Sequence, residues 1–146
     1  MRFLIVEDDN TARKLLEIYL SDFGSCDFAE NGIEAVEQVR QSLIDRRKRV
    51  YDMICLDLMM PQFDGHNALQ TIRQLEEKHG VVGNERSKVV ITTALNRREE
   101  ISRSFSEGCE SYLVKPIGRD RLLDEMKRLG LIECEAEEKQ VRASRF

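Results

Sequence analysis

Acidic, hydroxyl and ammonium groups follow four short apolar runs in this chain. Phe3-Leu4-Ile5-Val6 leads into Glu7-Asp8-Asp9, and Met53-Ile54-Cys55-Leu56 leads into Asp57. Val89-Val90-Ile91 leads into Thr92-Thr93-Ala94, and Tyr112-Leu113-Val114 into Lys115-Pro116. Carboxylates crowded together repel: two unit charges about 4 Å apart cost about 4 kcal/mol at an effective dielectric of about 20. Such a group either keeps a proton or recruits a hard divalent cation. Mg²⁺ suits it, because it takes oxygen ligands, retains waters and binds through one or two carboxylates plus a phosphate. Neither histidine lies near these run ends, so transition metals have less support. Phosphoryl transfer asks for an in-line acceptor, a metal on the equatorial oxygens and donors for the remaining ones. Asp57 can be the acceptor, with Thr93 and Lys115 as the donors.

For these groups to meet, the runs must be neighbouring strands. Short apolar runs between helical patterns read as buried parallel strands, and the ligand crevice of an open α/β sheet lies at their carboxyl ends. Helical spacing predicts a first helix over 11–22 with Leu15, Leu16, Tyr19 and Leu20 apolar, and Gly24 suits its stop. A weak strand follows at 26–29. Asn31-Gly32 opens a second helix striped by Ile33, Val36, Val39 and Leu43, ending near the basic run at 46–49, where cations complement the helix dipole. The third strand spans 51–57, and Pro61 and Gly65 punctuate the loop behind it. Ala68, Leu69, Ile72 and Leu75 stripe the third helix. Strand 89–92, helix 97–107, strand 111–114 and helix 118–129, with Leu122, Leu123, Met126 and Leu129, complete the alternation.

Repeated βα units predict an α/β fold: a five-stranded parallel sheet in flavodoxin-like order 2-1-3-4-5, with helices on both faces. In that order Glu7, Asp8 and Asp57 stand beside the switch point between the first and third strands. We expect one domain over 1–131 and a flexible charged tail over 132–146, where Glu133, Glu135, Glu137 and Glu138 precede Lys139, Arg142 and Arg145. A docking or pairing element is the other reading of the tail.

Composition narrows the function classes. A net charge of −4 argues against a nucleic-acid surface, whose affinity comes from clustered cations. No apolar run approaches the roughly 20 residues that span a bilayer, and the first strand begins too early for a secretory signal, so a cytoplasmic location is expected. Cys26, Cys55, Cys109 and Cys134 are scattered, without metal-site spacing, and read as small hydrophobes.

Taken together, the acidic pair Glu7-Asp8, Asp57 with Pro61 and Gly65 behind it, Thr93-Ala94 and Lys115-Pro116 resemble a response-regulator receiver domain of two-component signalling, over about residues 1–131. The resemblance is to the single-domain, chemotaxis-regulator-like kind. It implies a phosphorylation-dependent switch that is not a turnover enzyme but catalyses its own phosphorylation and dephosphorylation. Asp57 would accept a phosphoryl group from a histidine kinase, a phosphotransfer protein or a small phosphodonor. Asp8 and Asp57 would ligate Mg²⁺ directly, Glu7 through water, and Met59 through its backbone carbonyl. Thr93 and Lys115 would bind phosphoryl oxygens, Thr93 and Tyr112 would form the switch, and Lys115-Pro116 would be cis. The output would leave through the fourth helix, fifth strand and fifth helix to a separate protein, with a phosphorylation-dependent homodimer as one form of it.

Met59 and Leu95 are apolar where polar residues of relatives can orient the attacking water, which predicts slow self-dephosphorylation. A dehalogenase-type phosphatase would need a second acid two residues after the nucleophile, and Met59 occupies that position. A phosphate-independent module of the same fold loses ground because each expected site residue is present. The remaining polar residues read as ordinary surface: Asp9 as exposed, Asp64 as a turn residue, His66 and His79 as solvated.

Overall fold

The computed structural model describes residues 1–45, 50–60 and 64–133. Pro61, the basic run at 46–49, Cys134 and the tail charges after Glu133 lie outside the described residues. Five parallel strands, β1 (Arg2–Val6), β2 (Ser25–Ala29), β3 (Met53–Leu56), β4 (Lys88–Thr93) and β5 (Ser111–Val114), pair in the order β2-β1-β3-β4-β5. Between and after them run α1 (Asn10–Leu20), α2 (Gly32–Ile44), α3 (Gly65–Lys78), α4 (Arg98–Ser106) and α5 (Arg119–Arg128). The expected fold and strand order are therefore present.

Strand alternation divides the core in two. Leu4, Val6, Ile54, Leu56, Val89 and Ile91 pack against Ala35 and Val39 of α2 and Ala68, Leu69 and Ile72 of α3. Phe3, Ile5, Met53, Cys55, Val90 and Leu113 pack against Leu16 and Leu20 of α1 and Leu122, Leu123 and Met126 of α5. Burying each large side chain contributes about 1.5–3 kcal/mol, which holds the strand ends in fixed register. Leu131 and Ile132, beyond α5, pack against this second cluster.

Three helices start on side-chain caps. Asp9 accepts from the backbone N–H groups of Thr11 and Ala12, Asn31 from Glu34 and Asp64 from Asn67. Asp9 is exposed as expected, but it also fixes where α1 leaves the acidic loop.

The structure differs from the sequence reading at three places. On α2, Val39 is buried and Val36 and Leu43 pack against the core as expected, but Ile33 is 57% exposed, and the small residues Gly32, Ala35 and Ser42 face inward. Those small residues satisfy helical spacing equally well, and the Ser42 hydroxyl is satisfied within its own helix by donating to the Val39 carbonyl. Gly24 does not stop α1, which is capped at Ser21. A Cβ at Gly24 would stand 1.9 Å from the Met1 carbonyl oxygen, so glycine admits the start of the chain there. His66 is not solvated. It is 5% exposed, because the first turn of α3 faces α4 and two glutamates receive its ring.

Candidate functional site

Register builds the site. Val6 pairs with Leu56, so the residues following them, Glu7 and Asp57, emerge side by side at the carboxyl ends of β1 and β3. The Asp57 N–H donates to the Val6 carbonyl (3.1 Å) and the Glu7 N–H to the Ala29 carbonyl (3.0 Å), extending the ladder through both acids. From β5, the Lys115 N–H donates to the Thr93 carbonyl at 2.7 Å, which sets the lysine beside the end of β4. Lys115-Pro116 is cis, as the resemblance implied.

These backbones bring four charged side chains together. The Lys115 ammonium donates to Glu7 Oε2 at 2.7 Å and to Asp57 Oδ2 at 3.0 Å. Glu7 is 1% exposed and Asp57 3% exposed, while Asp8 reaches solvent. One carboxylate oxygen from each of Glu7, Asp8 and Asp57 lies within 4.8 Å of the others. That is an all-oxygen, doubly to triply negative donor set, which fits a hard divalent cation. Backbone donors orient two of the acids: Met59 N–H to Asp57 Oδ1 at 3.0 Å, and Asp9 N–H to Glu7 Oε1 at 3.2 Å. Burial pushes the Glu7 carboxyl above its ordinary range; the Lys115 hydrogen bond works against this and the charge of Asp57 works with it. Burial disfavours the Lys115 ammonium, but its bonds to Glu7 and Asp57 prevail and raise its pKa.

Thr93 and Tyr112 stand one step away. Thr93 is fully buried at the end of β4, and its hydroxyl accepts from the Leu95 N–H at 3.4 Å. The Tyr112 hydroxyl donates to the Leu95 carbonyl at 2.7 Å. The two residues are thus joined through the backbone of Leu95, whose side chain packs on the core. Burial first, then the charge of Glu100, pushes the Tyr112 phenol up to about 12, so it stays a donor at neutral pH. Sequence reasoning considered only the apolar side chain of Leu95, as a flank to the path of an attacking water. Nothing in residue type announces a role carried by a peptide group. Met59, two residues after Asp57, is 56% exposed.

Among the described residues, no helix is long and apolar enough to cross a membrane. An apolar-lined cavity of about 370 Å³ adjoins the site between α1 and the start of the segment after β5, bordered by Ala12, Leu15, Leu16, Lys115, Pro116 and Ile117.

Comparison with known proteins bears on the same region. The family described as the response regulator receiver domain matches residues 3–127. Hybrid signal transduction histidine kinase B of Dictyostelium discoideum is 33% identical over 131 residues, covering 86% of this chain and 6% of that protein. Chemotaxis protein CheY of Halobacterium salinarum is 27% identical, covering 83% of this chain and 89% of that protein. The chain thus spans a small part of the first relative and most of the second. The receiver domain of the histidine kinase CKI1 from Arabidopsis thaliana, solved in complex with Mg²⁺ and BeF₃⁻, superposes with a TM-score of 0.77 at 25% identity, covering 88% of this chain and 89% of that one.

Proposed function

The chain belongs to the response-regulator receiver family of two-component signalling, and from that premise we propose that it is a switch thrown by phosphorylation of Asp57. The observation that carries this reading is the meeting of Glu7, Asp8, Asp57 and Lys115 at adjoining strand ends.

Each side chain has a part. Asp57 is the acceptor: its carboxylate attacks phosphorus while the donor's phosphoramidate or acyl-phosphate bond breaks. Glu7, Asp8, Asp57 and the Met59 carbonyl would hold Mg²⁺, which when bound neutralises charge on the transferring oxygens. Lys115 already lies on Asp57 Oδ2 and needs no large movement to meet a phosphoryl oxygen. Thr93 would turn its hydroxyl from the Leu95 N–H toward the phosphoryl group. Because Tyr112 bonds the carbonyl of the same residue, that turn would loosen the Tyr112–Leu95 contact.

The size of the effect is adequate. A phosphoryl group brings about −1.5 to −2 charge, and each charge-assisted hydrogen bond contributes about 1.5–3 kcal/mol. Two such bonds approach the ~5.5 kcal/mol that would swing a 1:99 equilibrium to 99:1, and desolvation reduces this to a partial shift.

A histidine kinase or phosphotransfer protein would supply the phosphoryl group, and the face made by α4, β5 and α5 would carry the output to a protein partner. Residues 1–131 are taken as the working domain and 132–146 as its tail. The test is mass spectrometry after incubation with acetyl phosphate and Mg²⁺. One phosphoryl group should appear on the wild type and none on Asp57→Asn; no gain on the wild type would overturn the reading.

A further inference from the structure

His66 lies in the first turn of α3, and both of its ring nitrogens meet carboxylates of or just after α4. Nε2 is 2.6 Å from Glu100 Oε2, and Nδ1 is 2.7 Å from Glu107 Oε2. A neutral imidazole has one N–H and one lone pair, so it can serve one ionised carboxylate and must turn a lone pair on the other. The arrangement is satisfied only when the cluster holds one more proton, most simply as an imidazolium that donates both ways. The other oxygen of Glu107 already has its donors: Arg103 Nε at 2.7 Å and Gln70 Nε2 at 3.1 Å.

The surroundings make this proton matter. Ser104 is the buried residue of α4, so the helix lacks the deep apolar anchors of α3 and α5. Much of its attachment to α3 therefore passes through the side chains of His66, Glu100 and Glu107. The charged and titratable groups facing the cluster are Arg103, whose guanidinium feels Glu107, Glu100 and Asp64, and Tyr112 of β5, which feels Glu100. With His66 protonated, His66 and Arg103 balance Glu100 and Glu107. Without that proton the cluster carries a net negative charge, and a lone pair of the buried ring faces a carboxylate.

We propose that His66, Glu100 and Glu107 form a proton-binding latch that clamps α4 to the first turn of α3 when protonated and releases it when the proton is lost. Imidazole is the side chain whose ordinary charge change falls between about pH 5 and 8. Since α4 follows the loop carrying Thr93 and Leu95, the latch sets how freely that loop can move. It shares no residue with the acidic cluster at Asp57, and it stands whether or not Asp57 is phosphorylated.

The experiment is amide hydrogen exchange of residues 98–106 from about pH 5.5 to about pH 8.5, corrected for intrinsic exchange. The wild type should show α4 opening rise roughly tenfold or more as the proton is lost, from the strength of charge-assisted hydrogen bonds. The amides of β1 and α5 should hold steady, and His66→Gln and Glu107→Gln should abolish the rise. On the wild type alone, the nitrogen-15 shifts of the His66 ring should show both nitrogens protonated on the acid side and one deprotonating over the range where α4 loosens. The proposal is overturned if α4 opening is independent of pH, if His66→Gln keeps the wild-type profile, or if the ring stays neutral throughout that range.

Discussion

The Lys115 ammonium sits 2.7 Å from Glu7 Oε2, closer than its 3.0 Å approach to Asp57 Oδ2. In the absence of a metal, the lysine is the counterion of the acidic site. It neutralises part of a charge cluster that burial makes costly, and its hydrogen bond holds Asp57 Oδ2 in place.

Removing that counterion should therefore expose the repulsion it masks. Lys115→Met is expected to destabilise the metal-free protein by about 1.5–3 kcal/mol, the contribution of one hydrogen bond to a charged group. Much of the loss should return on adding Mg²⁺, because a divalent cation supplies the missing positive charge. Urea unfolding with and without Mg²⁺ decides. An equal loss in both conditions would mean that the lysine acts through packing alone.

Backbone packing behind Asp57 gives a second prediction. A Cβ at Gly65 would lie 2.6 Å from the Asp57 carbonyl oxygen and 2.6 Å from Leu58 Cα, both main-chain atoms that cannot swing aside. Gly65→Ala should cost about 1–3 kcal/mol and slow phosphoryl uptake by shifting the end of β3. At Gly80 the backbone has φ +74° with nothing within 4 Å, so Gly80→Ala should cost about 1–2 kcal/mol through strain alone and leave uptake unchanged.

Sequence patterning revealed most of this framework, for identifiable reasons. Parallel strands are buried on both faces, so runs such as Phe3–Val6 stand out as continuous apolar blocks, and the acids that end them fall at the crevice by topology. His66 was not legible in the same way. Its partners are 34 and 41 residues away, and a polar residue in a first helical turn looks like ordinary surface until α4 is in place. The Thr93–Leu95–Tyr112 connection was hidden because its middle member acts through its peptide group. On α2, Val36, Val39 and Leu43 met the core as expected, but Gly32, Ala35 and Ser42 were missed because they carry almost no hydrophobic signal.

The tyrosines predict how stability falls in alkali. Burial first, and then the hydrogen bond to Asp27, raises the Tyr51 phenol, and burial pushes Tyr112 up to about 12. A raised folded-state value means that the unfolded chain releases its proton first. The stabilisation is therefore complete below the ordinary tyrosine value of about 10 and is lost as pH climbs beyond it. Urea midpoints should drop from about pH 9 upward, and Tyr51→Phe should flatten the slope while keeping the ring over which the Arg2 guanidinium lies at 4.2 Å. An unchanged slope in both Tyr51→Phe and Tyr112→Phe would contradict the assignment.

Thiol chemistry should be quiet in the folded state. Burial pushes Cys55 and Cys109 up to about 12 and Cys26 up to about 11. In a Cys134→Ser background, the three remaining thiols should react with a disulfide reagent far more slowly than a free cysteine, whose value is about 8.5. All three should react once the protein is unfolded, and rapid native labelling of any would place it outside the core.

The apolar flank of Asp57, the proposed acceptor, bears on signal lifetime. Met59 cannot hydrogen-bond a water attacking the phosphoryl group, so loss of that group should be slow, on a timescale longer than seconds. Met59→Asn should accelerate it by roughly tenfold, less than the ~10² of a true general base. Phosphoprotein decay after removal of donor is the measurement, and a wild-type half-life of seconds would contradict the expectation.

The central claim, that carboxylates from two strand ends hold a divalent cation and ready Asp57 for phosphorus, is tested most directly by phosphoryl uptake as a function of Mg²⁺. With acetyl phosphate in excess and the modified residue located by peptide mapping, uptake should rise along a single-site Mg²⁺ curve, vanish in chelator and weaken in Asp8→Asn, with the group on Asp57. Equal uptake in chelator, or a phosphoryl group on another residue, would contradict the account.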